Sequence, residues 1–152
     1  MGSTRLTRRL RARRDLVYAA LIDPAAVRRW MVPDGMTSEI HLFDPREGGA
    51  FRISLSYDQP TGAGKSGDRI DTYHGRFVEL VPARRVVEVM EFETEDPSMR
   101  GEMTVTFTLS DAEGGTLLEA SHENVPPDIA PGDNDLGWRM SLDKLAAYLE
   151  SA

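Results

Sequence analysis

Three histidines, four tyrosines and a surplus of carboxylates are the groups in this chain that can hold or move a proton. His41, His74 and His122 fall on three separate strand-like segments, with no helical i, i+4 pair and no thiolate beside them. That spacing does not read as a metal site. His122 is the most informative of the three. If Leu118, Ala120 and His122 share the inward face of a strand, the small Ala120 leaves space and His122 points a titratable, two-sided polar group into it. Such a histidine is either satisfied by a neighbouring side chain or available to a guest. Glu88, Glu91, Glu93, Glu95 and Asp96 read as a solvated acidic face. A general acid would need one carboxyl raised by an apolar setting.

Other chemistries are excluded by motif. Gly62-Ala63-Gly64-Lys65-Ser66 resembles the end of a phosphate-binding loop, but Gln59 stands where the motif needs glycine and a strand follows where it needs a helix. A solvated hairpin loop is the expectation over Asp58–Arg69. No G-x-S-x-G turn is present. Cysteine is absent, which removes disulfides, thiolate metal sites and thiol nucleophiles and fits a reducing cytoplasm. The expectation is no cofactor and no metal. No apolar run approaches the roughly 18 to 20 residues that cross a bilayer, and the arginine-rich start lacks the apolar core of a secretory signal. Residues 1–30 carry eight arginines against Asp15 and Asp23, a net of +6, and the remainder carries −13. So acidic a body repels phosphate backbones, so nucleic acid is not an expected partner.

The elements that must position these residues follow from periodicity. Arg5–Arg13 alternates as a first strand, Asp15 is placed to cap a short helix over Leu16–Ile22, and Asp23-Pro24 restarts a second helix to about Trp30. Strands are expected over Ser38–Phe43, Phe51–Tyr57, Ile70–Leu80, Val86–Glu93, Met103–Leu109 and Thr116–Glu123. Asp133 then opens a helix to the end. Trp138, Leu142, Leu145 and Leu149 lie at i, i+4, i+7 and i+11 and form one apolar stripe. One long helix against about seven antiparallel strands predicts an α+β fold, with residues 1–152 as a single domain. If the first and last strands pair, Arg9, Arg11 or Arg13 should face Glu119 and Glu123.

That element order, with its residues, resembles the START-like (SRPBCC) superfamily and its helix-grip fold, and most nearly the homologues of the activator of heat-shock-protein-90 ATPase. The matching stretches are Ala12 through Trp30, Asp44-x-Arg46-x-Gly48-Gly49-x-Phe51, His74-Gly75-Arg76-Phe77-Val78-Glu79-Leu80-Val81-Pro82, Arg85-Val86-Val87, Gly115-Thr116, and Gly137-Trp138 with Leu142, Leu145 and Leu149. They run through nearly the whole chain in the family's order.

The resemblance implies a space between the curved sheet and the last helix that takes a small apolar or amphipathic molecule. Trp30, Phe51, Tyr73, Phe77, Met90, Met103, Phe107, His122, Trp138 and Leu142 are the residues expected to bind it, with Tyr73 and His122 as polar anchors. Methionine suits a pocket with a variable guest. Two alternatives carry different chemistry. Relatives resembling polyketide cyclases do acid–base work in the same cavity, for which His122 and Tyr73 would be the pair. The family's name implies a chaperone partner and a stress response, although the co-chaperone behind it has a further N-terminal domain for which this chain has no room. Monomer and homodimer are both compatible with the pattern.

Overall fold

The computed structural model describes residues 2–58 and 70–150. Its elements are β1 (Gly2–Leu10), α1 (Arg14–Ile22), α2 (Pro24–Trp30), β2 (Met36–Phe43), β3 (Ala50–Tyr57), β4 (Ile70–Val81), β5 (Arg85–Phe92), β6 (Met103–Ala112), β7 (Gly115–Val125) and α3 (Pro131–Glu150). The seven strands form one antiparallel sheet in the order β1-β7-β6-β5-β4-β3-β2. The curved sheet and its long terminal helix are the expected α+β helix-grip arrangement. The glycine-rich segment Gly62–Ser66 lies outside the described residues.

Alternation decides which face of each strand is wet. Met103, Val105, Phe107 and Leu109 of β6 are buried, and Thr116, Leu118, Ala120 and His122 of β7 share that face. Gly114 turns the β6–β7 hairpin with φ +78°, a conformation glycine adopts without steric cost. Gly75 serves a different need. A Cβ there would lie 2.1 Å from the Val89 carbonyl oxygen, so only glycine lets β4 and β5 approach so closely.

The helices begin differently. Asp23 caps α2 as expected, its carboxylate accepting from the Ala25 N–H at 3.1 Å, with Pro24 in the first turn. Asp15 does not cap α1. Arg13 occupies the N-cap without a side-chain bond, and Asp15 sits in the first turn, where the helix dipole favours a negative charge. The Trp30 indole donates to the Ala20 carbonyl at 2.9 Å and locks the two short helices together.

The first and last strands do pair, but not through the expected ion pairs. The register sets Thr7 opposite Glu119, Arg9 opposite Leu117 and Thr104 opposite Glu123, while β1 ends at Leu10, before Arg11 and Arg13. Among the described residues no ion pair joins these arginines to either glutamate. Arg13 instead meets Asp15 at 3.4 Å, and neighbouring Arg14 meets Asp111 at 2.8 Å.

The apolar stripe of α3 faces the sheet. Leu142, Leu145 and Ala146 are buried, and Trp138 and Leu149 pack against the same core. An aromatic column carries that contact through the molecule. Trp30 meets Phe107 edge-on at 6.0 Å, Phe107 meets Trp138 at 5.9 Å, and Trp138 meets the His122 ring at 5.8 Å. On the other flank Lys144 donates to the Val32 carbonyl at 2.7 Å and pairs with Asp34 at 3.2 Å, tying α3 to the α2–β2 connection.

Candidate functional site: a cleft beneath the terminal helix

Packing is incomplete between the first half of α3 and the β3–β6 part of the sheet. An open cleft of about 390 Å³ remains there. Met36, Leu55, Tyr57, Tyr73, Met90, Phe92 and Met103 form its sheet side, and Leu136, Trp138 and Met140 form its helix side. Met31 and Ile129 contribute further apolar surface, while Asp34, Asp71, Asp133, Asn134, His122 and Ser141 supply the polar groups. Five methionines make this wall adaptable, since thioether chains adjust their torsions at low cost.

Of the ten residues expected to contact a guest, Tyr73, Met90, Met103, His122 and Trp138 line this cleft. Trp30, Phe51, Phe77, Phe107 and Leu142 do not. They are almost wholly buried and fill the space beside it, Phe51 and Phe77 packing ring to ring at 5.3 Å. Asp71 and Asn134 were not among the expected residues. Asp71 shares the odd-numbered inward face of β4 with Tyr73 and Phe77, so alternation could have placed it; it accepts from the Tyr57 hydroxyl at 3.3 Å. Asn134 carried no comparable signal, because its role depends on how α3 docks.

His122 is satisfied by its neighbours. The Trp138 Nε1–H donates to His122 Nδ1 at 3.0 Å, and the Asn134 amide donates to the same nitrogen at 3.2 Å. Indole is a donor only, so Nδ1 must be unprotonated and the ring proton sits on Nε2. Nε2 in turn lies 3.1 Å from Met103 Sδ. Asn134 also donates to Thr4 Oγ1 at 3.0 Å, so one cluster joins β1, β6, β7 and α3. Burial lowers the His122 pKa to about 4, because a cation there would lose its hydration, and the Asn134 contact offsets only part of that. The imidazole is a neutral clamp at the wall of the cleft.

One acidic residue differs from its expected role. Glu91 and Glu93 do lie on the outer face. Arg52 grips Glu93 with two 2.8 Å hydrogen bonds, His74 adds a third at 3.0 Å, and the Arg52 bonds are the main reason the Glu93 pKa falls to about 2. Glu88 instead points inward between Val86 and Met90 and is only 5% exposed. Its strand neighbours are Phe77 on β4 and Val105 on β6, both buried. Burial alone raises its pKa to about 8, so the carboxyl is largely protonated at neutral pH. The sequence hid this because Val86-Val87-Glu88-Val89-Met90 is apolar on both faces of the strand.

The other histidines stand apart. His41 Nε2 contacts Ser54 Oγ at 2.8 Å, and His74 meets Glu91 and Glu93 on the outer surface. Among the described residues no three His, Asp or Glu side chains are grouped to hold a metal ion. No helix there is long and apolar enough to cross a membrane.

A seven-stranded antiparallel sheet gripping a long C-terminal helix, with a cleft between them, defines a helix-grip protein of the START-like class. Solved structures agree in shape. A Chromobacterium violaceum protein superposes with a TM-score of 0.87 at 32% identity, covering 97% of this chain and 96% of that one. The AHSA1 protein of Silicibacter pomeroyi gives 0.81 at 20% identity over 99% of both chains. A Rhodobacter sphaeroides protein gives 0.80 at 22% identity, over 98% and 92%. No curated protein matches the chain. The model of the family described as Activator of Hsp90 ATPase homolog 1-like protein matches residues 11–150, and the chain belongs to that family.

Proposed function

We propose that this protein binds a small apolar or amphipathic molecule in the cleft between α3 and the sheet. The observation that carries the reading is the lining: an adaptable apolar wall of five methionines, two tyrosines, Phe92 and Trp138 around about 390 Å³, with few polar groups. Such a volume, apolar wall and sparse polar lining are the features of sites for drug-sized ligands. Tyr73, Met90, Met103, His122 and Trp138 are the guest contacts retained from the sequence. Trp30, Phe51, Phe77, Phe107 and Leu142 support the pocket from behind. The polar group best placed to meet a guest is Tyr73, since the His122 acceptor nitrogen is already engaged. A cytoplasmic location suits a cysteine-free chain.

Native mass spectrometry of protein purified from its own host tests this reading, with uptake of ethylnaphthalene by equilibrium dialysis as a second arm. The expected result is a co-purifying small molecule, or saturable uptake of the probe that Leu55→Trp abolishes by filling the cleft. A bare chain that also fails to take up the probe would overturn it.

A second reading, as an activator of a chaperone ATPase, has one observation in its favour, the family match over residues 11–150. Stimulation of the ATPase of a heat-shock-protein-90 homologue by the purified chain would support it. An unchanged rate at saturating chain would remove it.

A further inference from the structure

The charged groups that line the cleft share one sign. Asp34, Asp71 and Asp133 face it, and no Lys or Arg is among its described lining residues. The three carboxylates are placed differently. Asp34 and Asp133 are exposed, at the mouth, and Asp34 is already paired with Lys144 at 3.2 Å. Asp133 has no ion pair among the described residues. Asp71 lies deeper, only 3% exposed, on the inward face of β4 with Tyr73. The register sets it opposite Leu55, another cleft residue, and the Tyr57 hydroxyl donates to its Oδ2 at 3.3 Å. A charge beside a carboxylate in such a wall is screened less than in water, so the wall discriminates strongly between a cation and an anion. A second feature of the lining selects the same sign. Tyr57, Tyr73, Phe92 and Trp138 bring four aromatic rings to the cleft, and the face of such a ring attracts a cation through its quadrupole. Tyr73 and Phe92 are direct cross-strand neighbours, and Tyr57 touches Asp71, so rings and carboxylate are supplied together. An anionic amphiphile such as a fatty acid would meet three carboxylates and no cation from the lining.

We propose that the guest of the cleft is an amphipathic cation, an apolar body bearing an amine or quaternary ammonium group that sits against the Asp71 carboxylate. This deepens the cleft-binding reading and rests on it, adding the sign of the ligand's charge. The methionine wall takes the apolar body. The Tyr73 hydroxyl can accept as well as donate, so it too suits an ammonium. Asp71, two residues away on the same face, answers the charge, and Asp133 adds attraction at the mouth. The chain's net charge of −7 draws a cation from solution in the same sense.

Equilibrium dialysis at neutral pH with three probes of similar shape separates this inference from the reading beneath it: naphthylmethylammonium, naphthoate and the uncharged ethylnaphthalene. The ammonium and the carboxylate both give up hydration on entry, so their ratio reports the charge preference of the wall. The ammonium should bind at least about tenfold tighter than naphthoate. Asp71→Asn should lower ammonium affinity by about tenfold and leave ethylnaphthalene affinity within about twofold. Retained ethylnaphthalene binding also shows that the variant is folded. Asp133→Asn, at the exposed mouth, should lower ammonium affinity by only about two- to threefold. Glu113→Gln makes the same change of charge in the β6–β7 hairpin, away from the cleft lining, and should leave the preference as it is. Equal binding of ammonium and naphthoate by the wild type would overturn the cationic guest and leave the cleft reading standing. So would a preference that Asp71→Asn and Asp133→Asn reduce no more than Glu113→Gln does. Failure of all three probes to bind wild-type protein would overturn both.

Discussion

His122 and Glu88 are both buried titratable side chains on the inward face of one sheet, yet the protein treats them oppositely. His122 on β7 has both ring nitrogens engaged, by Trp138, Asn134 and Met103. Glu88 on β5 has no hydrogen bond or ion pair from a described residue. The first region is closed by side chains contributed from four elements. In the second, Glu88 lies between the buried side chains of Phe77 and Val105 on the neighbouring strands. A polar group that finishes its hydrogen bonds inside the chain holds the fold together. One that does not is costly to keep, and its cost depends on its protonation state.

The contrast is sharpest in pH dependence. Glu88 has a raised folded pKa, about 8 against 4.5, so above 4.5 the unfolded chain releases a proton that the folded chain keeps. Stability should therefore fall as pH rises from about 4.5 to about 8, then level off. Glu88→Gln should abolish that loss, a gain of about 3 to 5 kcal/mol at pH 9 by urea denaturation. A variant no more stable than wild type there would mean that Glu88 is solvated. Next in size, Phe107→Ala should cost about 3 to 5 kcal/mol, as for any large aromatic in a filled core, whereas Met36→Ala on the cleft wall should cost under about 1. Similar losses at both positions would erase the distinction between packed core and cleft.

His122 works in the opposite pH direction. Its folded pKa is lowered, about 4 against 6.5, so the unfolded chain takes up a proton first as pH falls. Stability should drop by about 3 kcal/mol between pH 6.5 and 4 and should not change with this group above that window. In His122→Gln the acid loss should shrink accordingly. A wild-type His122 whose ring signals titrate near 6.5 by NMR would contradict the clamp. The smallest effect is expected on the outer face. Arg52→Ala should leave stability nearly unchanged by urea denaturation, because the Arg52–Glu93 pair is solvent-exposed. The Glu93 carboxyl signal should then move from about 2 toward its ordinary range.

Much of this architecture was legible in the sequence because it depends on strict periods. Period two in β6 and β7 placed Phe107, Ala120 and His122 on the inward face, and the α3 stripe placed Trp138 and Leu142 toward the sheet. The Asp23-Pro24 cap was readable from residue types alone. Side-chain partners were less legible, since they depend on register and docking. The register between β1 and β7 sets Thr7, two residues before Arg9, opposite Glu119. The division of the apolar set into core and cleft wall was also invisible, because Phe107 and Met103 share one face of one strand and only the placement of α3 separates them. Glu88 was obscured by valines on both sides.

The most direct test of the central claim uses the methionines as reporters. Met31, Met36, Met90, Met103 and Met140 line the cleft, while Met99, buried in the β5–β6 connection, does not. With carbon-13 labelled methionine methyl groups, titration with ethylnaphthalene should shift the five cleft signals together, saturably, and leave Met99 in place. Five unmoved cleft signals at saturating probe, or shifts no larger than that of Met99, would contradict the account.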